Sequence, residues 1–270
     1  MERRPLGRSG LSVPVIGMGT WRTLDVRGPE EALRHEVVRT AIRAGSDFFD
    51  TSPMYGQAER VLADAVRPVR SSVLIATKVW TSSAAEGRRQ VQRALAWYGG
   101  WVDVYQVHNL LAAEVHLPYL EALRAEGRVR ALGVTHYSHR AFPEILRWME
   151  AGRVQCVQVP YNAVDREVEQ DILPRAHELG IGVIVMRPLA EGELVRQSPP
   201  AHEFRRLEPF GVRSWAQALL KWVASDPRVS VVIPATARPE RAVENAQAGD
   251  PPWFDPETRE RVSYLACQLF

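Results

Sequence analysis

Cysteine is nearly absent: Cys156 and Cys267 are the only two in 270 residues. Two thiols build neither a disulfide framework nor a cysteine zinc site, so an apolar core must hold the fold. Cys156 sits in an apolar run and reads as a small buried hydrophobe, while Cys267 reads as a free thiol near the C-terminus. Long hydrophobic runs are missing as well. None approaches the ~18 apolar residues of a membrane span, and residues 1–5 are basic without the apolar stretch of a signal peptide. Charge of one sign is lacking, since the formal net charge is only +2. Nothing therefore calls for nucleic acid or an anionic membrane as a partner. A cytoplasmic protein is expected. Composition shifts, linkers and low-complexity tracts are also missing, so residues 1–270 are expected to form one domain. A last absence concerns Gly17-Met18-Gly19, where no third glycine and no helix follow at the distance a dinucleotide fingerprint needs.

What is present is an ordinary globular composition, 46% hydrophobic and 24% charged, arranged as an alternation. Apolar runs at 15–21, 48–49, 73–76, 102–107, 131–134, 154–159, 182–185 and 230–233 predict strands. Between them lie helical patterns such as 29–44, 57–65, 117–125, 141–149, 168–179 and 212–224. In the first helix Leu33, Val37, Val38, Ala41 and Ala44 share a face, with Pro29 at its start and Gly45 past its end. Eight strand–helix units about 30 residues apart match the size of a βαβ unit. Near-continuous apolar strands imply a parallel sheet covered on both faces. The α/β class follows, and eight units favour a closed (β/α)8 TIM barrel. An open doubly wound sheet is the competing architecture, and the missing phosphate-loop glycines count against it. Gly7-Arg8-Ser9-Gly10 predicts an N-terminal hairpin before the repeat begins. A helix over 256–265 forms a C-terminal extension placed to reach the barrel mouth. The longest connection, 187–201, reads as a mobile loop at that mouth.

In such a barrel the C-terminal strand ends form the active-site face. Asp50, Lys78, His108, Thr135, His136, Gln158, Arg187 and Pro234 all follow on strand ends. An isolated aspartate with a tyrosine five residues on is more often a turn cap beside a packed ring. Three strand-end titratable groups together with Tyr55 change that balance. A tyrosine with an unperturbed pKa near 10 is a poor acid at neutral pH, and a lysine cation within ~4–6 Å pulls that value down. Asp50 would hold Lys78 charged, and His108 would bond the same oxygen that Tyr55 protonates. This is a general-acid device for adding hydride to a carbonyl. No side chain supplies hydride, so a cofactor must.

FFDTSPMYGQAE (48–59), IATKV (75–79) and DVYQVHN (103–109) resemble the Asp, Tyr, Lys and His motifs of the aldo-keto reductase family, in order and at its spacing. Later segments extend the resemblance from residue 3 to 247. It implies an NADPH-dependent reductase of aldehydes or ketones, reversible as alcohol oxidation, with Asp50, Tyr55, Lys78 and His108 as catalytic residues. It also implies a dinucleotide extended across the mouth. Gly19 and Thr20, with Trp21, match the segment bordering nicotinamide and substrate. Thr135 keeps the hydroxyl of the family's carboxamide grip, whereas His136 replaces its usual asparagine; Gln158 matches the other carboxamide ligand. Met186 stands where a tyrosine usually stacks on the ring, followed by Arg187, Pro188 and Leu189, with Arg187 a candidate for the pyrophosphate. Pro234, Ala235, Thr236 and Arg238 open the last helix, a favourable phosphate site. Arg241, Glu244 and Asn245 match the adenosine-phosphate and adenine ligands. Ala235 replaces the family's usual lysine, and Arg238 is the candidate to restore that charge. Trp21, Trp80, Leu110 and Leu111, beside Tyr55, are expected to line an apolar substrate pocket.

The expected partner is a small carbonyl compound, and the expected state a monomer or weak oligomer. The competing functional reading is a cofactor-binding regulatory or sensor subunit of the same fold, as some members of that family are. A third is a different barrel enzyme, an isomerase or lyase on phosphorylated substrates.

Overall fold

The apolar runs form strands and the amphipathic stretches form helices in the computed structural model, which describes residues 1–270. A short antiparallel hairpin comes first, β1 (Arg3–Pro5) with β2 (Ser12–Pro14). The repeat follows as β3 (Met18–Gly19), α1 (Glu30–Arg43), β4 (Phe48–Asp50), α2 (Ala58–Val66), β5 (Leu74–Val79), α3 (Ala84–Trp97), β6 (Val102–His108) and α4 (Ala113–Ala125). It continues through β7 (Val129–Thr135), α5 (Phe142–Glu150), β8 (Cys156–Pro160), α6 (Ile172–Leu179), β9 (Gly182–Met186), α7 (Ala201–Leu207), α8 (Trp215–Ala224), β10 (Val231–Val232) and α9 (Pro239–Gln247). The last helix is α10 (Pro256–Leu269).

Strands β3 to β10 make one eight-stranded sheet in sequential order, every neighbouring pair parallel. Parallel bridges Ile16–Val232 and Gly19–Ala235 join its first edge to its last, so the sheet closes as the expected TIM barrel. Closure requires close approach: a Cβ on Gly19 would lie 2.9 Å from the Ile233 carbonyl oxygen. The register levels the C-terminal rim, setting Gly19 against Asp50, His108 against Thr135 and Thr135 against Gln158.

The core has two shells, because inward and outward side chains alternate along each strand. Inside the barrel Phe48, Ala76, Val104, Ala131, Cys156, Ile184 and Val231 meet Leu6, Leu11 and Val13 of the hairpin. The hairpin thus seals the barrel at the end opposite the rim. Each fully buried leucine there contributes about 1.5–3 kcal/mol. Gly7, at φ +54°, approaches so closely that a Cβ would fall 2.3 Å from the Gly182 nitrogen. Outside the barrel, the outward residues pack against the helices. Capping follows the sequence signals: Ser83, Ser214 and Asp255 accept first-turn N–H groups of α3, α8 and α10.

Three expectations are corrected. On α1, Val37, Val38 and Ala41 are buried, but Leu33 is 49% exposed. Arg34 takes the inward place in the first turn instead, donating to the Ala237 carbonyl at 3.2 Å, so the buried stripe runs 34-37-38-41. The 187–201 connection is not a free loop. A 3₁₀ segment, Ala190–Val195, fills it, and α7 begins at its end. Glu191 pairs with both Arg22 and Arg187 at 3.1 Å, and Trp215 Nε1 donates to the Leu194 carbonyl at 3.0 Å. The pattern at 168–179 splits into a 3₁₀ turn, Glu167–Glu169, and α6. The C-terminal helix does reach the rim side, where Ser263 donates to the Ala163 carbonyl at 2.5 Å just after β8. No helix is long and apolar enough to cross a membrane, and no cluster of His, Cys, Asp or Glu suits a metal ion.

Candidate active site

β4 and β5 set the centre of the site. Asp50 ends β4 and Lys78 lies one residue before the end of β5, both inward and both almost wholly enclosed. Lys78 Nζ lies 2.6 Å from Asp50 Oδ2 and 2.9 Å from the Thr51 carbonyl oxygen. Two glutamines complete the carboxylate's shell. Gln106 Nε2 donates to Asp50 Oδ1 at 3.2 Å and to Gln158 Oε1 at 2.9 Å, while Gln158 Nε2 reaches Asp50 Oδ2 at 3.4 Å. Burial opposes the Lys78 charge, yet Asp50 and Tyr55 together outweigh it and the ammonium's pKa is raised. Burial raises Asp50 as well, with Lys78 pulling the other way.

The turn after β4 carries Tyr55 back over this pair, its ring centroid 5.1 Å from Lys78 Nζ. Burial raises the phenol's pKa, and that outweighs the downward pull of Lys78. The expectation of a phenol lowered by the lysine is therefore reversed in the resting site. Desolvating a phenolate costs more here than one cation, partly offset by Asp50, returns. Tyr55 keeps its proton. His108, the last residue of β6, meets Tyr55 edge-on at 5.6 Å between ring centroids and 89° between planes. Burial, with help from Lys78, drops its pKa to about 3, so the imidazole is neutral. Its Nδ1 lies 2.8 Å from Ser52 Oγ.

The four expected groups thus converge. Sequence reading missed Thr51, Ser52 and Gln106, which join them directly. Gln106 had a legible signal: it lies two residues before His108 on one strand and so faces inward with it.

Around the rim, Trp21 lies 6.5 Å from the Tyr55 ring, and Arg22 stacks on Trp21 at 4.2 Å. Leu110 is buried, whereas Trp80 and Leu111 expose their side chains beyond β5 and β6. Thr135 is buried at the end of β7. His136 stacks on Tyr137 at 5.0 Å and 19°, and its Nδ1 accepts the Ser138 N–H at 3.0 Å. Tyr137, also unforeseen, carries the Arg187 guanidinium 5.1 Å above its ring. Arg187 is thus held between the Tyr137 ring and the Glu191 carboxylate. Met186 closes β9, with Pro188 and Leu189 leading into the 3₁₀ segment.

The residues beyond β10 suit a phosphate. Pro234, Ala235 and Thr236 lead to α9, where Thr236 Oγ1 accepts the Arg238 N–H at 3.2 Å. The first N–H groups of a helix lack carbonyl partners and favour anions. Arg238 and Arg241 stand there, the latter 2.5 Å from Glu244, and Asn245 is buried on the same helix. Arg34 adds a cation that sequence reading missed. Gln106 and Thr51, which bond to the Asp50–Lys78 pair, leave Gln106 Oε1 and Thr51 Oγ1 buried without partners. A helix start flanked by Arg34, Arg238 and Arg241 at one end and a polar rim running to Tyr55 at the other fit an extended dinucleotide.

A barrel with this rim chemistry defines a class, and the family model of the Aldo/keto reductase family matches residues 15–263. The chain belongs to that family. It is 31% identical over 223 residues to L-galactose dehydrogenase of Arabidopsis thaliana, covering 74% of this chain and 69% of that protein. With the methylglyoxal reductase YeaE of Escherichia coli it shares 28% over 264 residues, covering 91% and 89%. Among solved structures, an aldo/keto reductase from Klebsiella pneumoniae in complex with NADP and acetate superposes with a TM-score of 0.81 at 26% identity, covering 98% of this chain and 95% of that one.

Proposed function

We propose that this protein is an NADPH-dependent reductase of aldehydes or ketones in which Tyr55 delivers the proton. An NAD(P)H-dependent oxidoreductase is what membership of the family implies, and carbonyl reduction is its general reaction. The observation that carries the finer reading is the enclosed Lys78–Asp50 pair beneath a protonated Tyr55, with neutral His108 set against it. We take residues 1–270 as one barrel domain serving this site.

A carbonyl oxygen placed between Tyr55 and His108 accepts a hydrogen bond from each. Both bonds strengthen as negative charge grows on that oxygen, which is where preorganised donors lower a barrier. Tyr55 then releases its proton, and Lys78 stabilises the phenolate left behind. Asp50 keeps Lys78 charged and immobile, and Gln106 fixes Asp50. Microscopic reversibility makes the phenolate the base for alcohol oxidation. Bound NADPH supplies the hydride. Gly19, Thr20, Thr135, His136, Gln158, Met186, Arg187, Pro188 and Leu189 would hold its nicotinamide half. Pro234, Ala235, Thr236, Arg238, Arg241, Glu244 and Asn245 would hold the adenosine half. Trp21, Trp80, Leu110 and Leu111 would receive an apolar substrate body.

An NADPH-consumption screen over aldehydes, ketones and quinones tests this. Turnover that disappears in Tyr55→Phe supports it. Tight NADPH binding with no turnover on any carbonyl would leave a cofactor-binding regulatory subunit as the better reading.

A further inference from the structure

His108 is held by one protein partner at its ring nitrogens. Its Nδ1 lies 2.8 Å from Ser52 Oγ, and no protein group bonds its Nε2. Ser52 is wholly enclosed, and it lies on the turn that links Asp50 at the end of β4 to Tyr55. Its Oγ already accepts the Met54 N–H at 3.2 Å. The hydroxyl proton has no other acceptor within reach than His108 Nδ1. If Nδ1 carried the imidazole proton instead, that hydroxyl would be an unpaired buried donor, which is costly. The polar accounting therefore closes in one arrangement: Ser52 O–H donates to Nδ1, and the single proton of the neutral ring sits on Nε2.

We propose that Ser52 is a positioning residue that fixes the His108 tautomer, so that Nε2–H is the donor offered to the substrate oxygen. This rests on the carbonyl-reductase reading of the site and adds the means by which its imidazole is oriented. The opposite tautomer would turn a nitrogen lone pair toward the oxygen's own lone pairs and lose the donor. Ser52 thus orients this histidine as a carboxylate does elsewhere but selects the opposite tautomer, since a carboxylate accepts from Nδ1–H whereas this hydroxyl donates to Nδ1. A carboxylate there would favour imidazolium; a hydroxyl selects the tautomer and leaves the ring neutral.

The test compares the parent with Ser52→Ala and Ser52→Thr. Proton–nitrogen correlation NMR on histidine-labelled protein reads the tautomer of His108 without any turnover. The parent and Ser52→Thr are expected in the Nε2–H form, and Ser52→Ala as a mixture or as Nδ1–H. Ser52→Ala should also lower kcat about tenfold, the size of one neutral hydrogen bond, with the Kd for NADPH unchanged and activity recovered in Ser52→Thr. Nδ1–H in the parent, or the same Nε2–H form in Ser52→Ala, overturns the proposal, as does a parental kcat in the alanine variant. Should the parent reduce no carbonyl at all, the reductase reading fails, and the spectra alone decide whether Ser52 sets the tautomer.

Discussion

Lys78 Nζ stands 2.6 Å from Asp50 Oδ2 with both side chains almost wholly enclosed, and the Tyr55 ring sits over the ammonium. An ion pair so placed is poor value as a stabiliser, since desolvation consumes much of its attraction. In the mechanism we propose, its position under a phenol gives it another use, because the cation would meet charge that appears only when Tyr55 gives up its proton.

Removing one partner exposes that balance. Asp50→Asn leaves an enclosed ammonium without its counter-charge and should cost about 3–5 kcal/mol of stability. Lys78→Met should cost a comparable amount through the stranded carboxylate. Urea unfolding of both, and of the double variant, reads this directly. The double variant should lose clearly less than the two single losses combined. Additive losses would mean the pair is not coupled.

Tyr55→Phe should lower kcat by at least the ~10²-fold typical of a general acid. Its Kd for NADPH, followed by tryptophan quenching, should hardly move. A phenylalanine variant that turns over like the parent would remove Tyr55 from the chemistry.

The pH–rate profile should show no histidine limb in the acid range. Burial holds the His108 imidazole at about 3 against an ordinary value of 6.5, so it stays neutral throughout the working range. A limb with a midpoint near pH 6 to 7 that vanishes in His108→Asn would contradict the neutral ring.

Glu59 gives a stability slope of predictable sign. It is buried on α2 against Thr77, and burial raises its pKa from 4.5 to about 7. The folded state therefore holds a proton that the unfolded chain releases between these two values. Its contribution is fully present below about pH 4.5, declines as pH rises to about 7 and then levels off. The decline amounts to roughly 3 kcal/mol at 1.36 kcal/mol per unit. Urea midpoints across that window should fall in the parent and flatten in Glu59→Gln. Parallel curves would show that Glu59 does not titrate there.

For the dinucleotide, Arg241→Ala should raise the Kd for NADPH about ten- to a hundredfold while leaving that for NADH nearly unchanged. One charge-assisted hydrogen bond contributes roughly 1.5–3 kcal/mol. The Arg241–Glu244 ion pair at 2.5 Å and the alanine at position 235 both argue for the lower end. Arg34→Ala, which removes the cation beside Ala237, tests whether α1 makes up part of the difference. Equal weakening of both cofactors by Arg241→Ala would put the 2′-phosphate elsewhere.

By itself the sequence determined the barrel and the four groups at its centre, because both are written in short-range patterns. Apolar runs at regular spacing specify parallel strands, and a polar residue at the end of such a run is placed on the rim whatever the rest of the chain does. Asp50, Lys78 and His108 were legible for that reason, and Tyr55 from its place in the turn five residues after Asp50. Tertiary structure decided what those groups are. The Tyr55 phenol is pushed up rather than down because enclosure outweighs one lysine, a comparison between burial and distance that no motif contains. Gln106 and Ser52 became part of the site only when β6 and the turn after β4 met across the barrel. Arg34 displaced Leu33 from the inner face of α1 because a carbonyl 203 residues away in the chain lay within reach of its guanidinium. Hydrophobic period fixes which way a backbone faces; the partners of a buried polar atom depend on closure of the whole sheet, which brings remote segments within hydrogen-bond distance.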